Sequence, residues 1–206
     1  MTATSREKVF SNPDENRSGR GAISKMKKSD IKQPPCYFDK YMNCVDDIEI
    51  SEAFKQSQIE LENLDFETLS QIGDAVYAEG KWTIKDIFQH LIDAEHILSY
   101  RALRIGRNDK TELSGFDQAL LAANVSTKGR SVESIVDELK LVRQATERLF
   151  ESFDDEAMQR FAVVSGNQMS ALAYGFTISG HQKYHLKIVE EKYLPLLNSQ
   201  ALRGLN

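Results

Sequence analysis

Residues 82–106 have the sequence WTIKDIFQHLIDAEHILSYRALRIG and carry the clearest helical pattern in the chain. Apolar side chains recur there every three or four positions, the spacing that places them on one face of an α-helix. Thr83 can cap the first turn together with Asp86, and Gly106 can end the helix. The segment therefore predicts a long amphipathic helix whose apolar face packs against other helices, and this face is formed by Ile84, Ile87, Phe88, Leu91, Leu98, Ala102 and Ile105.

Three further segments show the same helical period. One covers about residues 51–64 with Ser51 as its N-cap, another begins at Ser131, and a third begins after Ser170 and is limited by Pro195. Between them we expect short helices near 66–72 and 117–124, a loop over 77–82, and no convincing strand. Four long amphipathic helices predict an all-α fold, a four-helix bundle with short accessory helices.

The composition divides the chain into three parts. Residues 1–35 are polar, contain eight Lys/Arg against four Asp/Glu, and end in a Pro-Pro pair that stops a helix. We expect them to form a flexible, disordered N-terminal tail. Residues 36–195 form the predicted bundle, and residues 196–206 a C-terminal extension.

Charge and hydropathy exclude several classes of function. The net charge of the whole chain is −5, so residues 36–206 carry −9, and an acidic domain disfavours nucleic-acid binding. No apolar run approaches the ~18 residues of a membrane span, and no secretory signal is evident, so we expect a cytoplasmic protein without membrane contact. Cys36 and Cys44 lack the spacing of a zinc knuckle or a redox pair, which predicts structural roles for both.

The last long helix carries a pair of histidines that could serve as metal ligands. His181 and His185 are four residues apart, on the same face as Tyr174 and Ile178, so both imidazoles point into the bundle. A shared metal ion would satisfy their ring nitrogens, and so would backbone or water partners in an ordinary core. The spacing alone leaves both interpretations open.

A third ligand would have to come from another helix, where two histidines are available. His90 lies at the edge of the apolar stripe of the second long helix, and His96 lies on the other flank. Periodicity does not decide between them.

Two parts of the chain together resemble a known family. The first is the helix in which Trp82 and His90 are separated by seven residues, continued into the loop that ends GFD at Asp117. The second runs from SGNQMS, residues 165–170, to ISGHQKYHLKIVEEKYLP, residues 178–195. Together they resemble the DinB-like superfamily, over roughly residues 35–195. The chain departs from the usual pattern at Ser114, where many members have Pro, and in its long N-terminal tail.

The resemblance implies a metal site. In that family one histidine of the second helix and two of the fourth bind a divalent metal ion, which by position are His90, His181 and His185 here, with His96 outside the site. Three imidazole ligands with an open position suit zinc, nickel or iron and are typical of a catalytic site.

The resemblance also implies several functions. Some members are thiol transferases in which the metal activates a low-molecular-weight thiol, so a small-molecule thiol or an electrophile is the expected partner. Metal-dependent hydrolysis, and a non-catalytic, stress-associated metal-binding bundle, are the alternatives. Family members often pair, which predicts a homodimer.

Four other side chains near the site have simpler interpretations. Asp93 could orient a ligand, although a solvated carboxylate is the favoured interpretation. Trp82 is expected to be a core anchor rather than a substrate platform. Arg101 and Arg104 are expected to pair with carboxylates on the bundle surface.

Overall fold

The computed structural model describes residues 24–32, 35 and 38–197 of the chain. The elements are α1 (Asp39–Met42), α2 (Ile50–Glu62), α3 (Phe66–Ile72), α4 (Ile84–Gly106), α5 (Gln118–Asn124), α6 (Val132–Glu151), α7 (Asp155–Gln159), β1 (Phe161–Val164), β2 (Asn167–Ser170) and α8 (Ala171–Ile188). A π-helical turn, Val189–Tyr193, extends α8. Among the described residues, none of the helices has the combination of length and apolar character that a membrane span requires.

The four long helices α2, α4, α6 and α8 form a bundle, which confirms the predicted all-α fold class. Helix α4 packs on α6 and α8, and α2 packs on the same two helices. Helices α2 and α4 therefore lie diagonally across the bundle from each other. The short α1 packs against α8, beside the centre of the bundle.

The interior of the bundle consists of two apolar clusters. The first contains Phe54, Phe150 and Tyr174, and the second contains Phe88 and Leu139, each with many smaller apolar neighbours. Helices α2 and α8 run from the first cluster to the second, while α4 and α6 run the other way. All four long helices contribute side chains to each cluster, so the burial of apolar surface at both ends holds the bundle together.

Buried polar residues separate the two clusters on every long helix. They are Ser57 on α2, Glu95 on α4, Arg143 and Thr146 on α6, and Ser179 and Gln182 on α8. We call this set the polar layer. His181 precedes Gln182 in the chain, so this candidate metal ligand lies at the level of the layer.

Side-chain caps explain where the long helices begin. The hydroxyl of Thr83 accepts a hydrogen bond from the backbone N–H of Asp86 at 3.2 Å, and the Asp86 carboxylate accepts one from the Thr83 backbone in return. Ser131 and Ser170 cap α6 and α8 as the sequence predicts. The expectation for Ser51 is wrong, because α2 begins one residue earlier and its N-cap is Glu49, whose side chain makes no capping bond.

A short β-hairpin corrects the expectation that no strand is present. Strands β1 and β2 pair antiparallel, with Val164 opposite Asn167, and the turn between them is formed by Ser165 and Gly166. Both turn residues have positive φ, 49° and 78°, as tight hairpin turns require. The sequence signal for the hairpin is short, since it consists of the β-branched residues Val163 and Val164 before Gly166.

The N-terminal boundary of the packed region lies earlier than Pro35. Residues 24–32 belong to the predicted tail, yet Ile31 is buried in the first cluster and the carbonyl of Met26 accepts a hydrogen bond from the Ile50 backbone. Apolar side chains at these two positions explain the packing. The rest of the predicted tail, residues 1–23, 33 and 34, and Cys36 lie outside the described residues, as does most of the C-terminal extension.

Helical geometry also continues through Pro195 to residue 197, so Pro195 does not limit the last helix as expected. The π-helical turn Val189–Tyr193 comes just before it. This wider turn accommodates the proline ring, which in a regular helix would clash with the carbonyl four residues earlier. Leu196 and Leu197 pack against the second cluster.

Candidate metal centre

Three histidines from two helices converge in the bundle interior. His181 and His185 lie one turn apart on α8, and His90 reaches them from α4. The Nε2 atoms of His90 and His181 are 3.0 Å apart, and one ring nitrogen from each of the three lies within 4.8 Å of the others. We call these residues the histidine triad. Each is no more than 8% exposed.

The ring nitrogens of the triad are poorly satisfied by the protein itself. His185 Nδ1 and Nε2 are both buried and have no hydrogen-bond partner among the described residues. Leaving two polar atoms unpaired in the interior is costly. A metal ion between the three rings would bind one of these two nitrogens and so remove part of this cost. Nitrogens that bind one zinc ion at about 2.0–2.1 Å lie roughly 3.3 Å apart, close to the 3.0 Å between the Nε2 atoms of His90 and His181. The residues present therefore fit a divalent ion.

Burial keeps all three imidazoles neutral. It lowers the pKa of His90 to about 4 and that of His185 to about 3, and it lowers the pKa of His181 well below its usual value, with the neighbouring histidines acting in the same direction. A neutral imidazole has a lone pair to offer a metal ion. The triad is therefore in the protonation state that a ligand needs at neutral pH.

The other two polar candidates lie apart from the triad. His96 is exposed on the outer face of α4. Asp93 accepts a hydrogen bond from Gln89 Nε2 at 3.1 Å, a contact between neighbouring turns of the same helix. Among the described residues, the cluster of possible ligands contains the three histidines and no carboxylate.

Three aromatic rings surround the triad. The ring of Trp82 lies 4.8 Å from that of His90, and the ring of Tyr41 lies 4.7 Å from that of His181. The ring of Tyr184 lies 5.4 Å from that of His185. Trp82 is half-buried and does anchor the start of α4, but it also contacts the site, which the sequence interpretation missed.

The position of Tyr41 depends on a glycine. A Cβ atom at Gly180 would overlap the backbone carbonyl of Tyr41, so only glycine allows α1 to approach α8 this closely. Gly180 immediately precedes His181, and the close approach brings the aromatic ring against that histidine. The sequence contains this signal only as a glycine inside a helical pattern, which does not reveal the segment that packs there.

A cavity of about 850 Å³ adjoins the triad and opens to solvent. Its walls come from α1, α4, α8, the start of α5 and the hairpin turn, and its lining residues are Phe38, Tyr41, His90, Ala94, Leu98, Arg101, Gly115, Phe116, Asp117, Gln118, Ala119, Val164, Ser165, Asn167 and His181. Two histidines of the triad thus face the cavity. Its volume is that of a small-molecule site.

The two arginines of α4 behave differently from each other. Arg104 forms an ion pair with Asp109 on the surface, which agrees with the sequence expectation. The same expectation is wrong for Arg101, which is 5% exposed, lines the cavity and donates a hydrogen bond to the backbone carbonyl of Ser114 at 2.7 Å. The loop after α4 folds back over the helix and encloses this side chain.

The protein is a helix bundle in which three histidines converge beside an open cavity. Its class is therefore that of bundles able to bind a metal ion between their helices. The sequence model of the DinB superfamily matches residues 47–189, and the chain belongs to this superfamily. The comparison with curated proteins found no match.

The chain is also similar in structure to YfiT from Bacillus subtilis, described as "a probable metal-dependent hydrolase with an unusual four-helix bundle topology". The TM-score is 0.51 and the sequence identity 16%, with 74% of this chain and 86% of that chain covered. At this identity the likeness supports the fold.

Proposed function

We propose that this protein is a metal-dependent enzyme that activates a small nucleophile, with His90, His181 and His185 as the metal ligands. The observation that carries the proposal is the solvent-connected cavity, whose wall includes two of the three histidines. A purely structural metal site would be closed by a fourth protein ligand, and the cluster of possible ligands contains three. Zinc, nickel and iron all suit imidazole ligands.

A divalent ion held by the triad would lower the pKa of a thiol or a water molecule at its open position and so provide a nucleophile at neutral pH. The protein's own residues would bind the ion and shield it from water. The rings of Trp82, Tyr41 and Tyr184 exclude water from three sides of the triad. Gln118 Nε2 lies 3.4 Å from His90 Nε2, so the start of α5 contacts the triad at the cavity wall.

A low-molecular-weight thiol is the nucleophile that the composition of the site favours. Activation of water benefits from a general base, and no carboxylate belongs to the cluster formed by the triad among the described residues. A thiol needs no such base, because coordination to a metal ion alone removes its proton at neutral pH. The reaction class is then transfer of the thiol: the thiol proton passes to solvent on coordination, sulfur forms a bond to an electrophilic atom of the molecule in the cavity, and the leaving group departs with the electron pair of the broken bond and is protonated by solvent.

Hydrolysis is the second candidate, and one feature of the cavity favours it. Asp117 lines the same cavity and is exposed to it, so its carboxylate could accept a proton from water. The description of YfiT as "a probable metal-dependent hydrolase" is consistent with this alternative.

Metal binding is tested by replacing the ligands one at a time. His181→Ala and His185→Ala should abolish stoichiometric metal binding, measured by elemental analysis of protein purified without chelator, and should leave most of the helical signal in place. His96→Ala is the matched control, since His96 is exposed on the same helix as His90, and its metal content should equal that of the wild type. Wild-type protein that retains no zinc, nickel or iron after dialysis would contradict the proposal.

The nucleophile is tested with cobalt in place of the native metal. Addition of a neutral thiol such as 6-mercaptohexanol should produce a sulfur-to-cobalt charge-transfer band in wild-type protein and none in His185→Ala. An unchanged cobalt spectrum would exclude the thiol and leave water as the nucleophile. Replacing Asp117 with Asn should then reduce the hydrolytic rate if that carboxylate accepts the proton.

A further inference from the structure

We propose that the substrate of this site carries an anionic group, a carboxylate in the simplest case, and that Arg101 binds it at the end of the cavity away from the triad. This inference rests on the proposed function, because it assumes that the cavity beside the triad holds the substrate. It adds the chemical class of the molecule and the residue that selects it.

Arg101 is a buried cation without a counterion. Its side chain is 5% exposed and lines the cavity, its guanidinium donates to the carbonyl of Ser114, and it lies over the ring of Phe116 at 5.2 Å. No carboxylate among residues 24–32, 35 and 38–197 lies within ion-pair distance of it. A buried charge is costly unless it is paired, so an anionic group in the cavity would stabilise this guanidinium by supplying the missing counterion.

Other buried or half-buried arginines of the bundle are paired. Arg143 binds both carboxylate oxygens of Glu95, and Arg104, one turn from Arg101 on α4, binds Asp109 with its Nε at 2.6 Å from the carboxylate. Among the buried and half-buried arginines of the described residues, Arg101, which lines the cavity, is therefore the one that lacks a carboxylate partner.

Two nearby groups could be considered as counterions, and neither serves. Asp117 lines the cavity and caps α5 through the backbone N–H of Leu120, but among the described residues its carboxylate forms no ion pair with Arg101. Tyr174 is close enough for the Arg101 guanidinium to influence its phenol, but burial raises the pKa of Tyr174 to about 12, so the phenol carries no charge at neutral pH. The anion must therefore come from the ligand.

The geometry of α4 sets the shape of this ligand. Arg101 lies eleven residues after His90, about 16 Å along the helix, and its side chain leans back toward the helix N-terminus. Ala94 and Leu98 line the cavity between these two positions. The ligand is therefore an organic acid whose middle is apolar, with its anion at Arg101 and its reactive end at the triad.

The test compares a carboxylate with its neutral counterpart. Binding of 4-phenylbutyrate and of 4-phenylbutanol to the full-length protein is measured by calorimetry, with metal bound and again after chelation. Wild type should bind the carboxylate about tenfold tighter or more, in both forms, because both probes can accept a hydrogen bond from the guanidinium but only the carboxylate also forms an ion pair with it. The preference should decrease as salt is added.

Variants then assign the preference to one side chain. Arg101→Gln should bind the two probes equally, and Arg101→Lys should keep part of the preference for the carboxylate. Arg104→Gln is the matched control, since it removes an arginine one turn away whose partner is on the surface, and it should behave as wild type. Circular dichroism of each variant checks that the bundle is folded.

Equal binding of the two probes by the wild type, no measurable binding of the carboxylate, or an unchanged preference in folded Arg101→Gln would overturn the proposal. The wild-type comparison needs no variant, so it stands even if Arg101→Gln does not fold. The chelated protein separates the two levels of inference. A carboxylate preference in a protein that binds no metal would support the role of Arg101 and contradict the proposed metal function. Metal binding without the carboxylate preference would support the metal function and contradict the role of Arg101.

Discussion

The buried ion pair between Glu95 and Arg143 joins α4 to α6 within the polar layer. Nε and Nη2 of Arg143 donate to the two carboxylate oxygens at 2.8 and 2.9 Å, and the side chains are 3% and 1% exposed. The ring of Phe54 lies 5.9 Å from the guanidinium. Because water cannot reach either charge, each depends on the other for its stability.

Removing one partner should therefore be much more harmful than removing both. Arg143→Met keeps most of the side-chain length but leaves the Glu95 carboxylate buried without a cation, which should lower the free energy of unfolding by about 3–5 kcal/mol. The double variant that combines Arg143→Met with Glu95→Leu removes both charges, and its stability should return to within about 1 kcal/mol of wild type, or exceed it.

Urea unfolding followed by circular dichroism measures these differences, provided that the slope of the transition is unchanged. Arg148→Met is the control, because Arg148 lies on the same helix in an exposed pair with Glu151 and should cost no more than about 1 kcal/mol. The reasoning is refuted if Arg143→Met costs no more than this control, or if the cost in the double variant equals the sum of the two single costs.

Three other substitutions test separate features of the fold. Thr83→Ala removes the hydroxyl that caps α4 and should cost about 1 kcal/mol in urea unfolding, whereas no change would show that the cap is energetically silent. Gly180→Ala should displace α1 because the added methyl group overlaps the carbonyl of Tyr41, and a variant with wild-type stability and near-ultraviolet dichroism would contradict the close approach. Because the pKa of Tyr174 is raised to about 12, the unfolded chain loses this proton first, so stability should fall above pH 10, by about 1.4 kcal/mol at pH 11 from this residue. Tyr174→Phe should lose that much less stability between pH 9 and pH 11, and an identical alkaline loss in both proteins would contradict it.

The fold could be predicted from local patterns because three of the four long helices begin at a capping side chain that the sequence shows. Thr83, Ser131 and Ser170 cap the predicted helices, and the apolar stripes between them are the residues that fill the two clusters. The β-hairpin could not be predicted in the same way. Its strands have four residues each, which is too short to show a clear alternation. Its turn depends on a positive φ at Ser165, which is uncommon for a residue other than glycine and is not evident from the sequence.

The site could be predicted only in part for a related reason. The pair His181 and His185 follows from helical spacing, which is local information. The choice of His90 over His96 came from resemblance, since periodicity left both open. Tyr41 and the buried state of Arg101 depend on contacts between segments distant in the chain, and such contacts leave no periodic trace in the sequence.

The polar layer explains how the bundle can carry a metal site at its centre and remain stable. The apolar clusters on either side of the layer draw side chains from all four long helices, so apolar burial holds both ends of the bundle. Gln182, which follows His181 in the chain, donates to the carbonyl of Ser57 at 2.8 Å and so ties α8 to α2 at the same level. Exchange of a ligand histidine therefore alters a part of the interior that is already polar. Loss of metal binding should consequently be separable from loss of the fold, which is the condition that makes the histidine substitutions informative about function.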